Sequence, residues 1–270
     1  MAKRALVLSA GGMYGAYQAG AWSVLGRSFQ PDVVVGASIG SLNGWAIAGG
    51  CPPEELCQRW LGLREAARHR WRFPRSPLDG ALDATRLHGW IRDLYESCSP
   101  QVPIGVVLTD ILRLKPRLFT GPNLGWEHLA ASCAIFGILP QIRIHGRYYT
   151  DGGLIEPLPL WAAAEMGATE VVAINVLPRL PGTVLQGAVR VFRRIAPRPP
   201  LASAEMKVQL IEPKKVLGTA REAIYWTEAR AREWIDQGRR DAEEFIASSA
   251  AASWPDRRTP VEGEGSPDRL

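Results

Sequence analysis

Val33-Val34-Val35 runs without alternation into Gly36-Ala37-Ser38-Ile39-Gly40, and the segment beyond it holds Leu42, Trp45 and Ile47. A continuous β-branched run is the mark of a strand covered on both faces, as in a parallel sheet. Two glycines then allow a sharp turn before a helix begins. The same arrangement occurs once before. Ala5 to Leu8 is a short apolar run, Ala10-Gly11-Gly12-Met13-Tyr14-Gly15 is a glycine turn, and Tyr17, Trp22, Val24 and Leu25 follow. Two consecutive strand–turn–helix units predict an α/β chain with a mostly parallel central sheet flanked by helices.

Residues 5–26 and 33–53 carry no charge and are each about long enough to span a bilayer. Glycines and turn residues break both, so each reads as a buried strand, a tight turn and a buried helix. Lys3 and Arg4 ahead of Ala5 to Leu8 imitate an export signal, but Ser9 and two glycines cut the apolar run short. The expected location is cytoplasmic, with peripheral membrane contact. Composition supports a globular reading. Across 270 residues, 46% are hydrophobic and 22% charged, which excludes disorder over most of the length. The four cysteines, Cys51, Cys57, Cys98 and Cys133, form no C-x-x-C pair, so neither a zinc ribbon nor a disulfide scaffold is expected. A net charge of +5 suits an anionic surface or substrate without identifying one.

The alternation continues down the chain. Pro52 and Pro53 open a helix with Leu56, Trp60 and Leu63 on one face, and a second starts near Asp83 with Leu87, Trp90, Ile91 and Leu94. Ile104 to Leu108 is a strand, and Leu112, Leu114 and Leu118 alternate with arginine and lysine as in a half-exposed strand that Pro116 confines to an edge. Ile142 to Thr150 is a strand or hairpin before Asp151-Gly152-Gly153. A helix near Leu160 to Met166 and a strand from Val171 to Val176 complete the pattern. Residues 217–247 read as one long charged helix packing through Ile224, Ala231, Ile235, Ala242 and Phe245. The expected organisation is a core over residues 1–177, a C-terminal strand and helix annex on the same domain over 178–250, and a disordered tail over 251–270.

Three elements carry chemistry. Gly36-Ala37-Ser38-Ile39-Gly40 is a G-x-S-x-G pentapeptide between a strand and a helix, the context of a nucleophile elbow. A serine there sits at a helix N-terminus, where free amides and the helix dipole favour developing negative charge; the plain alternative is a helix cap. An α/β-hydrolase triad needs a histidine late in the chain. The four histidines, His69, His88, His128 and His145, all precede Asp151. A Ser38, Asp110 and His145 triad satisfies the order, but an elbow so early leaves little room for the strands that normally precede it. The second element is the Gly11–Gly12 turn, whose amides crowd the C-terminal edge of the neighbouring strand, where open parallel sheets bind ligands. A dinucleotide fingerprint fits it poorly, because Ala10 replaces the first glycine and Asp32 precedes its strand. The third, Asp151-Gly152-Gly153, is by itself an ordinary turn signal. Beside a serine without a histidine, its carboxylate is the remaining base.

Taken in this order, the trio resembles the patatin-like phospholipases, Ser–Asp lipid acyl hydrolases, from about Ala5 to Val176. Ala131-Ser132-Cys133-Ala134-Ile135 is similar to that family's small-residue helix, and Leu139-Pro140 stands ahead of the Asp151 strand. The resemblance implies a three-layer sandwich, Ser38 as nucleophile, Asp151 as general base and Gly11 and Gly12 as oxyanion hole. Gly15, Gly36, Gly40, Gly152 and Gly153 would be motif glycines. It implies no metal and no cofactor, a lipid or ester substrate, and no nucleic acid. Where the family's turn begins with glycine and carries Arg or Lys, this chain has Ala10 and Tyr14; Phe136 replaces a proline, and Glu156-Pro157 stands where Asn is frequent. The competing functions are an acyltransferase using the same acyl-serine and a catalytically weak lipid- or nucleotide-binding module. Two basic stretches with apolar residues, 64–75 and 184–195, have the composition of segments that lie on anionic lipid.

Overall fold

The computed structural model describes residues 2–65, 67, 70–178 and 206–249. The elements are β1 (Arg4–Leu8), α1 (Gly15–Leu25), β2 (Val33–Ala37), α2 (Ile39–Ala48), α3 (Pro53–Leu61), α4 (Thr85–Ser97), β3 (Ile104–Asp110) and β4 (Lys115–Thr120). They continue with α5 (Trp126–Ser132), β5 (Ile142–Ile144), β6 (Arg147–Thr150), α6 (Leu160–Glu165), β7 (Glu170–Ile174), β8 (Lys207–Ile211) and α7 (Glu228–Ser249). One sheet runs in the order β5-β6-β3-β2-β1-β7-β8, with β4 also pairing β3. Strands β3, β2, β1, β7 and β8 are parallel, and the β4 and β5–β6 pairings are antiparallel.

Every residue of β1, β2 and β3 is buried, as the unalternating apolar runs predict. Side chains of alternate residues go to opposite faces. Leu6, Leu8, Val34, Val106 and Leu108 join a large core with α1, α2 and α4, while Ala5, Val7, Val33, Val35 and Val107 meet Trp161, Ala162 and Ala163 of α6. Helices on both faces of a mostly parallel sheet make three layers. α1 is buried along its whole length. Its outer neighbour is α7, and the two backbones approach closely where Gly20 faces the Ile235 carbonyl and Gly238 faces the Tyr17 carbonyl.

Two expectations need correction. The segment from Leu112 to Leu114 is a turn, with Leu112 exposed, and β4 begins only at Lys115. Asp110 accepts hydrogen bonds from the Leu112 and Arg113 amides, which folds the chain back before a strand can form. The long helix starts at Glu228, not 217. Thr219 and Glu222 bond each other and hold a local turn, so Ile224 lies in a loop while Ala231, Ile235, Ala242 and Phe245 are helical. The basic segment 184–195 and the tail 251–270 lie outside the described residues.

The sheet register brings two loops together. β4 pairs Gly105 to Asp110 of β3 along one edge. The other edge is shared: β2 pairs Ile104 to Val107, and β6, running the opposite way, pairs Thr109 and Asp110. β2 and β6 therefore approach head to head along β3, and the residues just past each end, Ser38 and Asp151, fall at the junction.

Candidate active site

Ser38 stands between β2 and α2 with φ 54° and ψ −128°. A non-glycine residue with positive φ is strained, and such strain persists only where the surroundings over-determine it. The surroundings are tight. A Cβ at Gly36 would strike the Gly40 carbonyl, and one at Gly40 would strike the Leu8 carbonyl, so the elbow closes only with glycine at both positions. Ser41 Oγ donates to the Ser38 carbonyl at 2.6 Å, and the Ser38 amide donates to Ser132 Oγ at 2.8 Å.

Ser38 Oγ donates to Asp151 Oδ2 at 2.5 Å. The other carboxylate oxygen, Oδ1, accepts the Gly153 amide at 2.7 Å. The turn is pinned by the Asp151 amide on the Ala134 carbonyl, the Gly152 amide on the Ser132 carbonyl, and Thr109 Oγ1 on the Asp151 carbonyl. A Cβ at Gly152 would meet the Val107 carbonyl, and one at Gly153 would meet the Ala10 methyl. Burial pushes the Asp151 carboxyl up to about 6, while the Ser38 hydroxyl and the Gly153 amide pull it down. Asp110 belongs elsewhere. Its carboxylate caps the Leu112–Arg113 turn and pairs with Arg147, and His145 is exposed at the tip of the β5–β6 hairpin.

The glycine turn faces this pair. Gly12 has φ +56°, and a Cβ there would meet the Ala223 carbonyl. Met13 donates its amide to that same carbonyl at 2.9 Å. Among the described residues, the Gly11 and Gly12 amides donate to no protein acceptor. Gly15 is pressed against Ile39 and Trp60, which keys the turn to α2. Beneath it, Asn43 Nδ2 donates to the Gly15 carbonyl and to Gln18 Oε1, Asn43 Oδ1 accepts Trp60 Nε1, and Gln18 Nε2 donates to the Ser9 carbonyl. This buried network is fully satisfied and locks α1, α2 and α3 together. Tyr14 points away from Ser38. Its hydroxyl donates to the Thr219 carbonyl at 2.7 Å and its ring packs edge-on against Trp234.

Above Ser38 opens an apolar pocket lined by Leu42, Leu82, Leu87, Ile135, Leu139 and Ile224 among others. Cys133 also lines it; burial and the Asp151 charge raise its thiol well above the ordinary value, so it stays neutral beside the serine.

Two contributors were not visible in the sequence. Ser132 touches both halves of the pair, through Oγ to the Ser38 amide and through its carbonyl to the Gly152 amide, yet it reads only as part of a small-residue stretch. Ala223 and Ile224 reach the pocket from a segment that looks helical in sequence. The Thr219-x-x-Glu222 spacing was the one available signal of a turn there.

A family model described as patatin-like phospholipase matches residues 6–164. Lysophospholipase NTE1 of Mycosarcoma maydis is 26% identical over 195 residues, covering 67% of this chain and 10% of that protein. Mouse patatin-like phospholipase domain-containing protein 7 is 27% identical over 184 residues, covering 64% and 13%. An uncharacterized NTE family protein of Mycobacterium bovis is 27% identical over 176 residues, covering 64% and 48%. The chain thus spans between a tenth and about half the length of these relatives. The crystal structure of VipD from Legionella pneumophila superposes with a TM-score of 0.51 at 11% identity, covering 92% of this chain and 67% of that one, a likeness of fold.

Proposed function

The chain belongs to the patatin-like phospholipase family, and on that premise we propose that it cleaves carboxylic esters of lipids through a Ser38–Asp151 dyad and an acyl-serine intermediate. The observation that carries the reading is the 2.5 Å hydrogen bond from Ser38 Oγ to Asp151 Oδ2 at the foot of an apolar pocket. A lipid acyl chain matches that lining, and the strained elbow leaves its hydroxyl facing the pocket.

Asp151 takes the Ser38 proton as Oγ attacks the ester carbonyl carbon. The carbonyl π-pair moves onto oxygen, and the Gly11 and Gly12 amides, together with the N-terminus of α2, stabilise that charge. As the tetrahedral intermediate collapses, the C–O bond to the alcohol breaks, and the alcohol leaves with the proton held by Asp151. Water, deprotonated by the same carboxylate, then attacks the acyl-serine, and as the bond from the acyl carbon to Ser38 Oγ breaks Asp151 returns the proton to Oγ and the fatty acid is released. Aspartate is a weak base for a serine hydroxyl. Burial narrows the gap by raising its pKa, and the short hydrogen bond aligns the proton before attack.

The test is Ser38→Ala with a chromogenic short-chain ester, alongside fluorophosphonate labelling and peptide mapping. The expected result is loss of turnover and a covalent adduct confined to Ser38 in the parent chain. Unchanged turnover by Ser38→Ala, or an adduct on another residue, would overturn the assignment.

A further inference from the structure

Beside the pocket mouth lies a loop whose composition its packing does not explain. Residues 70–78 hold Arg70, Trp71, Arg72, Phe73 and Arg75 and no acidic residue. Phe73 is 100% exposed and Trp71 72%, the fullest exposure of any aromatic side chain described. Large aromatics left wholly in water mark a contact surface more often than a scaffold.

The loop is not a loose excursion. Trp71 bridges Leu82 in antiparallel fashion, the Arg72 amide donates to the Ala81 carbonyl, and the Asp83 amide donates to the Arg70 carbonyl. The 81–82 backbone then bonds onward, Ala81 to the Gly137 carbonyl and Leu82 to the Ile138 carbonyl. Leu82, Ile138 and Leu139 form the pocket wall, and Phe136, 45% exposed, lies between Ile135 of that wall and Gly137. Three exposed aromatics therefore emerge one or two residues from the backbone that shapes the pocket mouth. Arg72 is bound to the Gly80 and Asp79 carbonyls and stiffens the loop; Arg70 and Arg75 are exposed like it.

We propose that this loop, through Arg70, Trp71, Phe73 and Arg75, seats the pocket mouth on an anionic lipid bilayer. The proposal rests on the reading of the pocket as a lipid-ester site and names the surface that delivers substrate to it. Aromatic rings prefer the bilayer interface, and exposed arginines beside them meet anionic head groups. A second copy of the chain fits less well, because a two-fold contact through this loop would set its cations against one another. The apolar pocket beside the loop would then open toward the hydrocarbon, so an acyl chain need not cross water.

Flotation of the whole chain with vesicles of phosphatidylcholine alone and of phosphatidylcholine with phosphatidylglycerol tests the idea, with hydrolysis of a soluble short-chain ester as a parallel readout. Wild type should partition onto the anionic vesicles, and added salt should weaken that binding. Arg70→Gln with Arg75→Gln should lower partitioning onto them roughly 25-fold, about fivefold per cation. Trp71→Ala with Phe73→Ala should lower it on the order of tenfold. Both double variants should hydrolyse the soluble ester as wild type does. Ser38→Ala should still float, so a failure of the catalytic reading is distinguishable from a failure of this one. Absence of anionic preference in wild type, or wild-type flotation by both double variants, would overturn the proposal. So would a Phe73-dependent dimer on gel filtration, or binding at this loop to an acidic protein in place of vesicles.

Discussion

Asp151→Asn separates what the buried carboxylate costs the fold from what it contributes to chemistry. In the folded chain burial raises the Asp151 carboxyl from its ordinary 3.8 to about 6. A tenfold change in proton affinity between unfolded and folded chain is worth about 1.36 kcal/mol, so the ionised carboxylate weakens the fold by about 3 kcal/mol relative to its neutral form. The sign follows from the direction of the change. A carboxyl whose folded value is raised lends stability below its unfolded value and loses it as pH rises through the folded one. The window is therefore between about pH 4 and pH 6, with the loss complete above it. Asparagine is neutral throughout and keeps the shape: its carbonyl can accept the Gly153 amide and its amide can reach Ser38 Oγ. Urea unfolding of both proteins should give matching stabilities near pH 4. At pH 8 the variant should be more stable by about 3 kcal/mol, equivalent to roughly 6–12 °C in Tm for a chain of this size. Groups elsewhere that titrate over this range cancel in the difference. Ester turnover should move the opposite way, falling roughly 10²–10⁴-fold in the variant, while wild-type turnover declines as pH drops below about 6. A stability difference that does not change between pH 4 and pH 8 would refute the reasoning.

Four further substitutions probe the surroundings. Ser132→Ala leaves the buried Ser38 amide and Val107 carbonyl without their Oγ partner; a loss of about 2–4 kcal/mol in urea and slower fluorophosphonate labelling of Ser38 are expected. Gly153→Ala would collide with the Ala10 methyl and displace the amide that holds Asp151 Oδ1, so turnover should fall. Restoring space with Ala10→Gly should recover part of it, and a double-mutant cycle should show coupling of at least about 1 kcal/mol. Ile224→Trp fills part of the pocket and should cut kcat/KM for long-chain esters on the order of tenfold relative to short-chain ones, measured across an ester series.

The sheet was legible because its strands announce themselves. Unalternating runs such as Val33-Val34-Val35 have no polar face, and only a position between two layers accommodates them. The elbow was legible for a related reason: glycine at positions 36 and 40 is demanded by backbone contacts that any closed turn of this type must make. The meeting of Ser38 with Asp151 depends on β6 running down the same edge of β3 that β2 runs up, and no local pattern encodes a pairing between distant strands. Where prediction failed, short polar side chains had captured backbone groups. Asp110 turned the Leu112–Leu114 segment away from a strand, and Thr219 with Glu222 turned 217–227 away from a helix. Apolar periodicity carries no trace of such competition.

The same C-terminal loop accounts for an otherwise odd residue. At position 14, where the family pattern that the sequence resembles has Arg or Lys, Tyr14 is 1% exposed and lies between Trp234 and the Thr219 carbonyl. Tyrosine fills the space and satisfies the carbonyl. By anchoring the loop it also holds Ala223 against the Met13 amide and Ile224 in the pocket wall. The glycine turn is thus braced from residues well beyond 164, where the family match ends. Ser38, Asp151 and the glycine amides fall inside the matched stretch, whereas the part of the pocket wall formed by Ala223 and Ile224 falls outside it. On the proposed reading, selectivity for an acyl chain is set in part by this sequence's own C-terminal segment, and that part does not follow from the family match.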